Sequence, residues 1–138
     1  MTTRGLEKPK ERLNRLYMEA VSANSAQNGK NSVENLFHEV LHDKELAFEA
    51  SKEKKYLEVM HQGASLAHII SPSASHAMIM NMIRLGDEVT GMKDMTGCSV
   101  RNVLSAHHGK KIDKMMEIYQ LEKMLRIGKE TVPAYQIR

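Results

Sequence analysis

The sequence is poor in aromatic residues and nearly free of cysteine, with four Tyr, two Phe, no Trp and one Cys among its 138 residues. Because Cys98 has no second cysteine to pair with inside the chain, we expect a reducing compartment, by default the cytoplasm. No segment approaches the run of about 18 apolar residues that a membrane helix needs, and the first residues lack the apolar run of a signal peptide. We therefore expect a cytoplasmic protein with no membrane partner.

Methionine takes the place of the missing aromatic side chains, with eleven residues in the chain. A core of aliphatic and methionine side chains favours packed helices, since strands prefer aromatic and β-branched residues. The composition therefore predicts an all-α, compact multi-helix fold. The formal net charge of +3 arises entirely in residues 71–138, which is compatible with a polyanionic partner but describes many other proteins as well.

Apolar periodicity and turn residues divide the chain into two parts. A first helix is predicted to begin near Pro9, and the polar segment Ser22–Ser32 has no apolar period, which is typical of a linker. Ser32 is then expected to cap a second helix. We predict an N-terminal helix and linker over residues 1–31, and a helical domain over residues 32–138. No internal repeat is evident.

Glycines mark the expected ends of the later helices. One or two helices are predicted to end at Gly63, a strongly apolar helix at Gly86, and a long final amphipathic helix at Gly128. The last ten residues contain Pro133 and are expected to be irregular.

The segment over about residues 87–108 has the pattern of a helix-turn-helix. This motif needs a tight turn with a residue that accepts a positive φ, and Gly97 supplies it. Ser99 then lies at the N-cap of the second helix, where its hydroxyl can accept a backbone N–H. Positions expected to face inward are apolar or small: Met92, Cys98, Val103 and Ala106.

The outward side of the second helix carries groups that can bind double-stranded DNA. Arg101 and Asn102 are side-chain types that make bidentate contacts with guanine and adenine edges. Three lysines follow within a turn or two and are placed to meet phosphates, which supply salt-dependent affinity. The predicted DNA-binding residues are Ser99, Val100, Arg101, Asn102, Ser105, Lys110, Lys111 and Lys114.

The run IMNMIRLGDEVTGMKDMTGCSVRNVL, residues 79–104, resembles the DNA-binding region of the large subunit of the flagellar master regulator and its relatives on conjugative elements. The shared pattern is Leu85 and Gly86 at a helix end, apolar Val89 and Met92, then Thr96 and Ser99. The resemblance implies a transcription regulator that contacts promoter DNA and works in an oligomer, as a homo-oligomer or with a partner regulator subunit.

A competing pattern is His38-Glu39-Val40-Leu41-His42, which has the spacing of the H-E-x-x-H zinc peptidases. On a helix, His38 and His42 share one face and could hold a zinc ion, with Glu39 as general base. Glu58 or His61 could be a third ligand. Asp43 follows where such sites are usually apolar, so we expect no enzyme activity and no cofactor, and keep the zinc peptidase as a minor alternative.

The final helix predicts contact with a partner protein. Met115, Ile118, Leu121 and Leu125 form one apolar stripe, and further apolar residues lie beside it. A helix that is apolar over so much of its surface is usually buried on two sides, which favours a homodimer. A helical adaptor that binds proteins through methionine-rich faces, without DNA, is the alternative function.

Overall fold

The computed structural model describes the backbone of residues 7–22 and 26–136, and the side chains of residues 7–22 and 32–126. The described backbone is mostly helical, as the composition predicts, with one small hairpin. The α-helices are α1 (Pro9–Ser22), α2 (Ala26–Leu41), α3 (Lys44–Ala50), α4 (Lys54–Leu57), α5 (Leu66–Ile70), α6 (His76–Arg84), α7 (Asp87–Thr90), α8 (Val100–His108) and α9 (Lys111–Gln136).

The hairpin consists of β1 (Met60–His61) and β2 (Ala64–Ser65), which are antiparallel with Met60 opposite Ser65. A 3₁₀ turn over Ser71–Ser73 follows α5. Gly63, expected to end a helix, lies instead in the hairpin turn with φ +81°. A positive φ is the conformation that glycine adopts without a steric penalty, so it permits the chain to reverse here.

The helices after α1 form three successive units, which corrects the prediction that the chain contains no repeat. Leu46, Ile79 and Ile112 are spaced 33 residues apart in α3, α6 and α9, and all three are completely buried. Tyr56 in α4 and Val89 in α7 have the same spacing and are buried as well. The first unit is α2–α4, the second runs from β1 to α7, and the third contains α8 and α9.

The starts of α5 and α8 repeat each other in detail, 34 residues apart. Ser65 accepts a hydrogen bond from the His68 backbone N–H at 3.1 Å, and Ser99 accepts one from Asn102 N–H at 3.0 Å. Both serines are therefore side-chain N-caps. Within each helix, two apolar side chains one turn apart are buried in the core: Leu66 and Ile70 in α5, Val100 and Leu104 in α8.

The units lie in a row, because helices contact their counterparts in the next unit in addition to neighbouring helices of the same unit. The inner helices α2, α5 and α8 contact one another in sequence, and the outer helices α3, α6 and α9 do the same. Helix α1 packs on α2 and α3 at the start of the row. Leu13 and Leu16 of α1 belong to the same buried cluster as the three units.

The prediction of a linker over Ser22–Ser32 is wrong for most of that segment. Helix α2 begins at Ala26, so Ser32 lies inside the helix and does not cap it; residues 23–25 are outside the described residues. The polar segment is helical because its continuation, bearing Leu36 and Val40, is anchored in the core. The final helix also extends past Gly128 to Gln136, so the predicted end at Gly128 and the predicted irregular segment around Pro133 are both wrong. A single glycine lowers helix stability by only about 1 kcal/mol.

A buried histidine joins the second unit to the third. The His68 ring Nε2 donates to the Cys98 carbonyl oxygen at 2.8 Å, because a carbonyl can only accept. Its Nδ1 lies 2.6 Å from the Ser65 hydroxyl oxygen. A second histidine, His108, reaches back from α8 to the Ser71 carbonyl oxygen at 2.8 Å. Each unit thus satisfies a backbone carbonyl of the other.

His68→Ala should destabilise the protein much more than Asn102→Ala, although the two positions are equivalent in the repeat. The first change leaves a cavity and removes the hydrogen bond to Cys98, and we expect it to cost about 2–4 kcal/mol. Asn102 is exposed, so its replacement should cost less than about 0.5 kcal/mol. Urea unfolding measures both; equal losses would contradict the stacked arrangement.

Candidate interaction surface

The segment predicted as a tight helix-turn-helix turn is a longer loop. Helix α7 ends at Thr90 and α8 begins at Val100, whereas the turn of that motif has three to four residues. Within the loop, Lys93 and Ser99 form an antiparallel bridge. Gly97 does have the predicted positive φ, +87°, but it turns a hairpin and does not join two helices directly.

Asp94 organises this loop from within. Its Oδ1 accepts hydrogen bonds from the Thr96 hydroxyl at 2.6 Å, the Thr96 N–H at 2.9 Å and the Cys98 N–H at 3.0 Å. The hydrogen bond from the Thr96 hydroxyl, followed by that from the Cys98 N–H, holds the pKa of Asp94 below its ordinary value. The loop is therefore fixed by an ionised side chain.

The loop between α7 and α8 contacts the turn of the β1–β2 hairpin. The Met95 N–H donates to the Gly63 carbonyl oxygen at 2.8 Å, so the two tips lie side by side. Met60 and Met95 are 47% and 80% exposed there, and Gln62 adopts a positive φ of 52° at the turn. Methionine at a surface provides an adaptable apolar contact. Sequence reasoning missed this surface.

The 33- and 34-residue spacings could have revealed the tips in advance. Gly63 and Gly97 are 34 residues apart, as are the capping residues Ser65 and Ser99. A comparison of the chain with itself at that offset aligns both hairpins.

The start of α8 agrees only in part with the DNA-binding prediction. Ser99 is the N-cap, as expected, and Arg101 and Asn102 are exposed. Val100, expected to face outward, is completely buried, because it repeats the core position of Leu66. Ser105 is half-buried.

The residues expected to face inward are not the ones that the structure buries. Ala106 is exposed, while Met92, Cys98 and Val103 are only half-buried. The buried side of α8 is defined instead by Val100 and Leu104. The helix is thus rotated relative to the helix-turn-helix expectation, because packing against α5 determines which side faces the core.

Arg101 is exposed because no described helix packs on that side of α8. Its equivalent in the second unit, Ala67, is completely buried, and Asp113 in α9 is equivalent to the buried Met80. Arg101 and Asp113 form an ion pair at 3.4 Å. Where the second unit has two buried apolar residues, the third unit therefore has an exposed charged pair.

The three predicted phosphate-binding lysines are exposed near this end of the row. Lys110 precedes α9, and Lys111 and Lys114 lie in its first turns. The described ion pairs do not include any of the three. Together with Arg101 and its partner Asp113 they form a surface with net positive charge.

The H-E-x-x-H residues do not form a metal centre in the described part of the chain. His38 and His42 are exposed with ring centroids 4.4 Å apart, but Glu39 forms an ion pair with Arg12. His61, a proposed third ligand, packs its ring on Phe37. Among the described residues, no group of three or more His, Cys, Asp or Glu side chains is placed to hold a metal ion.

No described helix is both long and apolar enough to cross a membrane. No family model matches this chain, and no curated protein or solved structure shows significant similarity to it. Function is therefore inferred from the chain's own geometry.

Asp94→Asn should lower stability in a pH-dependent manner. Because hydrogen bonds hold the pKa of Asp94 below 3.8, its carboxylate stabilises the fold above that pH, and this contribution is lost as the pH falls through the lowered pKa. We expect the wild type to be more stable than the variant at neutral pH and the difference to disappear in strong acid. Urea unfolding across the pH range measures this.

Glu117→Gln removes an exposed carboxylate from α9 and is the matched control. If it changed the pH dependence as much as Asp94→Asn does, the stabilising role of the Asp94 hydrogen bonds would be refuted.

Proposed function

We propose that this chain is a protein-interaction module built from ankyrin-type repeats. Such repeats have about 33 residues, consist of a β-turn and two helices, and carry the pattern T-P-L-H-x-A at the first helix. Ser65, His68 and Ile70 occupy the positions of Thr, His and Ala, while Leu66 and Ala67 replace Pro and Leu. The observation that supports the proposal most is the recurrence of buried positions at 33-residue intervals.

Stacked repeats present an extended surface to a partner, formed jointly by neighbouring units. In this chain the hairpin tips offer that surface, because Met60 and Met95 are exposed and the backbone bond from Met95 to Gly63 holds the tips together. Two exposed methionines on neighbouring hairpins suit a protein segment with apolar side chains. This supports the alternative function given above, a helical adaptor that binds proteins through methionine-rich faces, without DNA.

Replacing both Met60 and Met95 by Lys should weaken partner binding by at least about tenfold, because two charges would replace the apolar contact at the centre of the proposed interface. The measurement is quantitative affinity capture from cell extract with the full chain as bait. Met18→Lys is the control, since Met18 is 50% exposed on α1. Proteins retained by wild type and control but lost by the double variant support the proposal; identical retention by all three baits contradicts it.

DNA binding is a second candidate, favoured by the exposure of Arg101, Asn102 and the three lysines. In that case the protein would be a transcription regulator, acting as a dimer or with a partner subunit. Arg101 would have to break its ion pair with Asp113 to contact the edge of a base, and the three lysines would contact phosphates. Sequence preference would then depend on Arg101, and affinity on the lysines.

Lys110→Ala and Lys111→Ala should each weaken binding to DNA of any sequence. Each should also reduce the slope of log K against log salt concentration by about 1 in magnitude. Lys10→Ala, an exposed lysine on α1, is the control and should leave both unchanged. Fluorescence anisotropy with genomic fragments over a salt series measures the slopes. Absence of salt-dependent binding by the wild type at low ionic strength would eliminate this function.

A further inference from the structure

One side of α9 is a continuous exposed line of side chains, which we call the outer line. Its residues follow one another at intervals of three or four, so they share a helix face. They are Lys111, Lys114, Ile118, Leu121 and Leu125. The first two are charged, and the three apolar residues are between 42% and 67% exposed. The line is therefore basic at one end and apolar at the other.

Ile112 and Met115, next to this line on the helix surface, are buried in the core, and α9 contacts α6 and α8. The outer line is separate from those contacts, and Met124, also exposed, lies beside it. A contiguous row of exposed apolar side chains on a helix indicates a contact surface for a protein.

A groove with matching chemistry lies at the other end of the row, where α1 packs on α2 and α3. Its larger part has a volume of about 610 Å³. Arg12 and Arg15 lie in it, together with five carboxylates, which leave a net charge of −3: Glu7, Glu19, Glu39, Asp43 and Glu45. Both arginines are engaged by these acids, since Arg12 pairs with Asp43 at 2.9 Å and Arg15 with Glu7 at 2.9 Å.

The groove continues into a smaller part of about 300 Å³, and Pro9 and Glu45 border both parts. Phe48 of α3 lies in the smaller part and is only half-buried. The groove is therefore acidic along one portion, and the next portion presents the Phe48 ring between Lys44 and Glu49. The Lys52 ammonium lies over this ring, 4.6 Å from its centroid. This order corresponds to the basic and apolar portions of the outer line.

We propose that copies of this chain associate head to tail, with the outer line of one copy in the α1–α3 groove of the next. Lys111 and Lys114 would face the carboxylates, and the leucines would contact Pro9 and Phe48. Because the groove is at the first unit and α9 is in the third, the contact joins unlike surfaces. Such a contact can continue from copy to copy.

Charge complementarity and the matched order of charged and apolar portions favour α9 of a second copy as the occupant of the groove. Attraction between exposed charges falls with salt, whereas apolar contact does not. Association should therefore be strongest at low ionic strength and should weaken, without disappearing, when salt is added.

Two variants block one surface each. Leu121→Asp places a charge in the outer line, and the double change Glu19→Arg with Glu45→Arg reverses charge in the groove. Gln120→Asp, exposed off the outer line, is the control for the first. Glu58→Arg with Asp87→Arg, both exposed outside the groove, is the control for the second.

Sedimentation velocity of the purified full chain over a concentration series tests the proposal, with circular dichroism to verify folding. The wild type and both controls should form species larger than dimers as concentration rises. Each blocked variant alone should have a dissociation constant at least about tenfold higher.

Mixing the two blocked variants distinguishes head-to-tail contact from any symmetric contact. The groove of the Leu121→Asp variant and the outer line of the groove variant are both intact, so the mixture should form a 1:1 complex and nothing larger. A wild type that stays monomeric at low salt would overturn the proposal. So would a mixture that fails to form the complex while the wild type associates, because that result indicates a symmetric contact.

Discussion

The arrangement of the second and third units depends on the buried His68 ring. Its Nε2 satisfies the Cys98 carbonyl of the next unit, and its Nδ1 contacts the Ser65 hydroxyl, which also caps α5. A buried carbonyl without a partner would cost about 1–3 kcal/mol, so this single ring couples the start of one helix to the position of the following hairpin. That coupling places Met95 beside Gly63 and thereby forms the surface of paired tips.

The same stacking explains which polar residues are exposed. Ala67 and Met80 are buried in the second unit, whereas the equivalent Arg101 and Asp113 are exposed and paired. Exposure of Arg101 is thus a consequence of its place in the last described unit. An exposed arginine at a helix start is compatible with DNA binding, but the repeat accounts for it without a nucleic acid.

Much of the helical structure could be predicted, and the reasons are local. Ser99 caps α8 because a serine hydroxyl reaches the N–H three residues on, and Gly97 has a positive φ because glycine permits it. The predicted orientation of α8 was wrong at Val100 and Ala106, since a nine-residue helix has several plausible buried faces. The candidate surface was missed for a different reason: Met60 and Met95 are distant in sequence and have no motif of their own.

By itself, the sequence determined the helical class, the Ser99 cap and the positive φ of Gly97, because these follow from composition and from the conformational range of single residues. It also contained the repeat, in spacings that only become conspicuous once the buried positions are known. Tertiary structure alone decided that the polar segment before Val33 continues as helix α2, which side of α8 is buried, and which tips meet. These outcomes depend on contacts between residues 30 or more positions apart, such as His68 with Cys98 and Met95 with Gly63, and no local preference specifies them.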